Sequence, residues 1–309
     1  MSAVFNIVLP VFGVILAGVL SRRSGLLGED SAEALNRFVF FIALPPLLFL
    51  SCARVPLQQI FNWPFLATYA AGLFMTLAVG IAGALAFFNH RELPVLTIHG
   101  MALIFSNTVY LGIPLLVLAY GQDGAIPGVI ITLFTNLVFL TLSAVLIESG
   151  RMEAGRSKLT LLSSSFKNPL IVAPVLGVLF SWSGLTLSVP LERFLELIGQ
   201  GAGPTALFAM GMSLYGFSFT AGMKEISWIV VVKLLLHPLF TWLVGRYVFA
   251  LDDFWLECAV ILSALPAGAL VFVVAQRYNV YVQRAAASVV VTTAISVVTL
   301  AVVFLWAAA

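Results

Sequence analysis

The residues best placed to do chemistry in this chain stand beside two prolines inside apolar runs. One run reads Ser106-Asn107-Thr108-Val109-Tyr110-Leu111-Gly112-Ile113-Pro114, with four polar side chains within two turns. The other reads Ser263-Ala264-Leu265-Pro266-Ala267-Gly268, where Gly268 loosens the turn further. Proline inside a helix removes one backbone hydrogen bond and clashes with the preceding turn. In hydrocarbon the freed groups must find partners, so a break survives only inside the protein or beside a wet cavity. Its half-helix ends then offer amides to an anion or carbonyls to a cation. The chemistry available is therefore reversible binding of a small ion. Asn107, Ser106, Thr108 and Tyr110 are candidate side-chain ligands, Ala267 and Gly268 candidate backbone ones, and Gly112, Pro114 and Pro266 shape the breaks. A pair of ordinary kinks is the plainer alternative, but two breaks at matching places favour a site.

Lys233 and His237 lie four residues apart, hence on one helical face. Ionisable residues inside a membrane segment are functional candidates by default. Lys233 sits about 10 Å from the start of its helix at 1.5 Å per residue, so snorkelling to the inner surface or structural pairing is expected. His237 is nearer the midplane, just ahead of Pro238, and either packs as a satisfied ring or carries a proton. The two are the candidate ion-coupling residues. No aspartate or glutamate falls at the centre of either proline-bearing helix. Sodium ligation by Ser106, Thr108 and freed carbonyls therefore stays open beside proton coupling and facilitated flux along the membrane potential. Paired midplane carboxylates, HExxH, GxSxG and a cysteine–histidine arrangement are all missing, so an enzyme is not expected. Cys52 and Cys258 have neither metal nor disulfide spacing, and no metal or cofactor is expected.

These residues belong to a chain that is 61% hydrophobic and 9% charged over 309 residues, with mean hydropathy +1.11. That excludes an ordinary soluble domain. A spanning helix needs about 20 mostly apolar residues. Ten such stretches are predicted, at 4–21, 35–53, 64–88, 94–120, 125–147, 168–183, 192–217, 226–249, 255–276 and 281–306. The fold class is an all-α polytopic membrane protein, with the lipid bilayer as its first partner. The net charge of +2 and the absence of a basic run give no sign of a nucleic-acid partner. Arg22 and Arg23 follow the first apolar run instead of leading it, so that helix is expected to be retained rather than cleaved as a signal peptide.

With the amino terminus outside, the inward side holds Arg22, Arg23, Arg37, Arg91, Arg151, Arg156, Lys158, Lys167, Lys224, Arg277 and Arg284. The outward side holds Arg54, Arg193 and Arg246. The positive-inside rule then puts both termini outside. The longest polar break, 148–167, divides the stretches five and five, giving units 1–147 and 168–309 joined by a cytoplasmic loop. An odd number of helices per unit makes any duplication an inverted one. PVFGV at 10–14 recurs as PVLGV at 174–178, and SGL at 24–26 recurs at 183–185. Pro45 with Leu48 and Phe49 matches Pro204 with Leu207 and Phe208. Broken segments at corresponding places in inverted halves are the sequence mark of a secondary transporter's midplane site.

SNTVYLGIPLL at 106–116 resembles the fourth-helix motif of the auxin efflux carrier family, which includes plant auxin carriers and bacterial organic-acid carriers. The resemblance extends through LNRFVFFIALPPLLF at 35–49, NPLIVAPVLGVL at 168–179 and ALPAGALVFVVAQRYN at 264–279. It implies two inverted five-helix repeats with broken helices four and nine crossing near Pro114 and Pro266. It further implies a scaffold of helices 1, 2, 6 and 7 and a transport domain of helices 3–5 and 8–10. These would move as an elevator in a homodimer in the bacterial inner membrane. The implied substrates are small organic anions such as malonate, malate or auxin. By position Asn107 matches the family's asparagine, and Asn136 resembles a polar position on helix five that helps hold the carboxylate. The serine that follows the second-helix proline in plant carriers is Leu48 here, and the aromatic partner on helix five is Leu140, which points away from auxin itself. A sodium-coupled symporter of a larger acidic solute and a membrane ligand sensor remain the alternatives.

Overall fold

The computed structural model describes residues 2–54, 62–151, 168–215 and 222–307. Residues 152–167 of the predicted connecting loop, with Arg156, Lys158 and Lys167, lie outside the described residues. Helix occupies each of the ten predicted stretches, and among the described residues there is no strand. The helices are α1 (Ser2–Arg23), α2 (Asp30–Ala53), α3 (Trp63–Phe87), α4 (Leu93–Ile104), α5 (Thr108–Tyr120) and α6 (Ala125–Gly150). They continue as α7 (Pro169–Ser183), α8 (Val189–Gln200), α9 (Ala202–Leu214), α10 (Met223–Tyr247), α11 (Asp253–Ala264), α12 (Leu270–Tyr278) and α13 (Val282–Ala307). Five of them, α2, α3, α6, α10 and α13, are long and apolar enough to cross a membrane; α4, α5 and α7 are shorter apolar helices. The molecule is an all-helical polytopic membrane protein.

Local chemistry sets the boundaries. Asn62, Asn168 and Asp252 cap α3, α7 and α11 by accepting from the N–H groups of Phe65, Leu170 and Trp255. Three π-helical turns, Val39–Ala43, Thr108–Gly112 and Val232–Leu236, run up to Pro45, Pro114 and Pro238. A proline ring clashes with the carbonyl four residues back, and a widened turn relieves that clash without ending the helix. A fourth π-helical stretch, Thr135–Leu140, carries Asn136.

The expected break at Pro114 is not where the helix parts. α4 ends at Ile104, and Phe105 and Asn107 leave helical geometry with ψ of 100° and 62°. Pro114 stands seven residues later, exposed inside α5 just after the widened turn Thr108–Gly112, which accommodates its ring without ending the helix. The second break does fall at its proline: α11 ends at Ala264 and Leu265 is extended. The two breaks meet as a short antiparallel pairing of Ser106 with Ala267. Asn107 N–H donates to the Pro266 carbonyl and Gly268 N–H to the Phe105 carbonyl, each at 2.9 Å. The backbone groups freed by the breaks thus satisfy one another.

Packing follows two groups of helices. α1 lies against α9, and α7 and α8 lie against the second half of α2. The α1–α9 approach depends on Gly18 and Gly211, where an added Cβ would come within 2.1 Å of the Phe208 carbonyl and 2.0 Å of the Ile15 carbonyl. In the other group α10 packs on α3 and α11, with α13 against α10 to α12. Its interior is polar in places: Thr68, Thr76, His99, Lys233, His237, Thr241, Ser263, Ser288, Thr292 and Ser296 are fully buried. Most of those hydroxyls bond back to their own helix, the usual means of hiding them in hydrocarbon. Trp182, Leu197 and Leu305 stand exposed on the outside, where the solvent is lipid.

Candidate functional site

A cavity of about 90 Å³ lies where the paired breaks face α2, α6 and α9. Ser106, Asn107, Thr108, Val109 and Tyr110 form one wall and Gly268, Ala269 and Leu270 the next. Thr132, Thr135 and Asn136 of α6 form a third, and Leu44, Leu47 and Leu48 of α2 with Ala202, Gly203 and Ala206 of α9 close it. Six of the seven residues predicted to bind therefore come together from three separate elements. Ala267 does not line the cavity: it is fully buried, and its N–H donates to Thr292 Oγ1 at 3.1 Å. Leu48 lines the wall, whereas Leu140 is buried away from it.

Two helices begin at this cavity. The first turn of α5 closes on the Asn107 carbonyl, which accepts from Leu111 and Gly112. The amides of Val109 and Tyr110 thus have no acceptor within the helix. α12 starts in the same way after Ala269, with Val271 donating to the Gly268 carbonyl. Both helix N-termini, each with its partial positive charge, point at one small space. Side chains complete it. Neither the Asn107 nor the Asn136 amide has a hydrogen-bond partner among the described residues, so both are available to a solute. Thr132 and Thr135 donate to carbonyls of their own helix and turn lone pairs outward. The Tyr110 ring lies against Gly203, where an added Cβ would come within 2.3 Å of the ring.

Behind this wall sits Lys233. Its Nζ donates to Ser106 Oγ at 2.6 Å and to the Ser263 carbonyl at 3.4 Å, and lies 3.1 Å from His237 Nδ1. The side chain is 0% exposed, so of the two expectations it does not snorkel to the inner surface but pairs inside. It stands in the widened turn Val232–Leu236. Tyr69 of α3 adds its hydroxyl 3.4 Å from Ser106 Oγ and its ring 5.6 Å from His237. Nothing in the sequence marked Tyr69, a lone tyrosine in an apolar helix. Thr132, Thr135 and Asn136 share one face at i, i+3 and i+4, a polar pattern legible in the sequence.

A basin of about 1110 Å³ opens on the face that carries Arg22, Arg37, Arg277 and Arg284, with Asp30 and Glu33 at its rim. Asn36 lines this basin, is 3% exposed, and donates from Nδ2 to the Val273 carbonyl at 3.5 Å. Val273 lines the smaller cavity, so that contact separates the two spaces. Arg277 adds a second closure by stacking over Phe40 and Phe41, 5.4 and 4.9 Å from the ring centroids.

The chain matches the family model described as membrane transport protein over residues 3–304. It is 31% identical over 305 residues to a putative malonate transporter of Rhizobium meliloti, covering 97% of this chain and 94% of the relative. It is 30% identical over 306 residues to the uncharacterized transporter YfdV of Escherichia coli, covering 94% and 93%. A transporter of Methanocaldococcus jannaschii, also uncharacterized, shares 25% over 306 residues, covering 96% of each chain. With its motifs, its helical breaks and its full-length match in agreement, the chain belongs to the membrane transport protein family of the auxin efflux carriers.

Proposed function

We propose that this protein is a secondary carrier of small organic carboxylates, malonate or a similar diacid, that works by elevator-type alternating access. The observation that carries the reading is the convergence of two helix N-termini on one cavity lined by the free amides of Asn107 and Asn136. Such ends favour anions. A carboxylate bound there accepts from the amides of Val109, Tyr110, Ala269 and Leu270, with Asn107 and Asn136 donating from the sides and Thr108 and Tyr110 bordering it. The volume argues for size: about 90 Å³ is small beside the 300–1,000 Å³ typical of drug-sized ligands. A diacid of three or four carbons suits it better than an indole, in keeping with Leu48 where plant carriers place a serine. The name of the Rhizobium meliloti relative points to the same class.

The ten-helix inverted repeat belongs to this proposal. Its support is that α1 packs on α9 while α2 packs on α7, contacts that a two-fold relation between the halves would exchange. The same relation carries Ser106 onto Ala267, 161 positions later, and so puts Pro266 in register with Phe105 rather than Pro114. We place the boundaries at 1–147 and 168–309, with a scaffold built from α1, α2 and α7 to α9 and a transport domain from the remaining helices. The basic basin faces the cytoplasm of a bacterial inner membrane, both termini lie outside, and the functional unit is a homodimer. Arginines in a wide mouth raise the local concentration of an anionic solute.

Uptake of labelled malonate into proteoliposomes, with sodium, proton and electrical gradients imposed in turn, tests the reading. Saturable uptake is expected. Absence of both uptake and binding for malonate and its three- and four-carbon relatives would overturn the substrate class. Binding without uptake under any gradient would favour the sensor alternative.

A further inference from the structure

Lys233 is a buried amino group surrounded by neutral groups. Ser106 presents its hydroxyl from the first break, His237 its ring from the same helix, Ser263 its carbonyl from the end of α11, and Tyr69 its phenol from α3. α13 packs on this part of α10, and the buried polar residues of α13 are the neutral Ser288, Thr292, Thr293 and Ser296. Glu225, His90, His99 and Arg284 form a cluster of their own, two turns toward the start of α10. Among the described residues no carboxylate pairs with Lys233. A buried ammonium without an anion is costly, and hydrogen bonds offset only part of that cost. What lies one side chain away is the cavity: Ser106 accepts from Nζ on one side and lines the cavity on the other.

We propose that Lys233 is the site's built-in cation and its proton carrier. The ammonium, held at the paired breaks, attracts the substrate carboxylate through Ser106. The inference rests on the carboxylate-carrier reading. In the loaded site Lys233 is an ammonium and the solute an anion, so the two charges offset each other. When the anion leaves, the ammonium has no counter-charge and gives its proton to water entering the emptied cavity. The empty site then returns with a neutral amine and takes up a proton on the far side before the next anion binds. One proton therefore moves with each anion. His237 fits this cycle: Nδ1 accepts from the ammonium, which places its own proton on Nε2, a buried atom with no partner. Opposite charges about 7 Å apart at an effective dielectric of ~20 attract strongly enough to change affinity more than tenfold.

The test combines malonate binding to purified protein with uptake into proteoliposomes. Binding by the wild-type protein is expected without sodium and is expected to weaken as pH rises, because loss of the Lys233 proton removes the charge. An inward proton gradient is expected to drive uptake. Lys233→Met should weaken binding about tenfold or more and abolish its pH dependence. Lys233→Arg keeps the charge but cannot release its proton, so binding and malonate exchange should persist while gradient-driven net uptake is lost. Unchanged affinity in Lys233→Met, gradient-driven uptake in Lys233→Arg, or a sodium requirement in the wild type would each overturn the inference. Should neither variant fold, the sodium and pH dependence of the wild type decide it. Wild-type protein that binds no small diacid sinks the carrier reading and this inference together, whereas binding that Lys233→Met leaves intact sinks the inference alone.

Discussion

At the scale of single residues, the site is made of donors left open. Asn107 and Asn136 carry amides that no described residue satisfies, at the edge of a cavity lined by helix N-termini. A hydrogen bond to a charged partner contributes about 1.5–3 kcal/mol, so Asn107→Ala should weaken malonate binding by roughly 10- to 100-fold. Calorimetric titration of the purified variant measures this, and its thermal midpoint should stay near that of the wild type because the side chain holds nothing else in place. Gly203 makes a second case. Its missing side chain admits the Tyr110 ring, and Gly203→Val would push the two groups of helices apart at the cavity. Uptake by Gly203→Val should fall to background while the protein still reaches the membrane; normal uptake would show that Tyr110 and Gly203 part freely. Asn107 was legible from its motif. Tyr69 and Asn36 were not, because a single polar residue in an apolar helix shows nothing of what it will face.

At the scale of elements, prolines and the widened turns ahead of them decide where the helices change direction. Pro114 advertised a break that the chain makes seven residues earlier, since the widened turn Thr108–Gly112 lets the helix run on through the proline. Pro266 does stand in its break and gives its carbonyl to Asn107. Pro266→Ala should let α11 run on and disturb the pairing, cutting the uptake rate severalfold; a wild-type rate would demote the proline to a bystander. The start of α10 is tied down differently. Glu225 lies 2.6 Å from His90 Nε2, 3.2 Å from His99 Nδ1 and 3.2 Å from Arg284 Nη1, and accepts from the Tyr281 hydroxyl. Burial, with the Glu225 carboxylate beside it, holds the Tyr281 phenol protonated well above its ordinary range. Glu225→Ala removes the shared acceptor of α4, α10 and the turn into α13, and should lower stability by about 3 kcal/mol. Thermal unfolding in detergent would register that loss as a lower midpoint, and an unchanged midpoint would count against the cluster's structural role.

At the scale of the whole molecule, two groups of helices meet across few polar contacts on the basic face. Asn36 reaches the Val273 carbonyl, and Asn168 of α7 donates to the Tyr278 hydroxyl at 3.1 Å. Contacts of this kind must part if one group slides past the other. With Cys52→Ser and Cys258→Ser in place, Asn36→Cys paired with Val273→Cys should cross-link through a short bifunctional thiol reagent. Cross-linking should stop uptake while leaving substrate binding measurable. Undiminished uptake by fully cross-linked protein would rule out relative movement of α2 and α12 as part of the cycle.

Composition and periodicity determined the class outright, because nothing but a bilayer accommodates so many apolar stretches. The four ordered motifs identified the family, and the local conjunction of a proline with Ser106, Asn107 and Thr108 pointed to the wall of the candidate cavity. Only the tertiary structure decided the rest. Backbone freed at residues 105–107 is satisfied by residues 266–268, and a chain cannot show in its own neighbourhood which distant segment will complete its hydrogen bonds. The same limit hid the place of Lys233. Distance along a helix set it within snorkelling range of the surface, but the Ser106 hydroxyl and the His237 ring hold Nζ inside. Local sequence fixes where a helix can yield; packing fixes which groups it then faces.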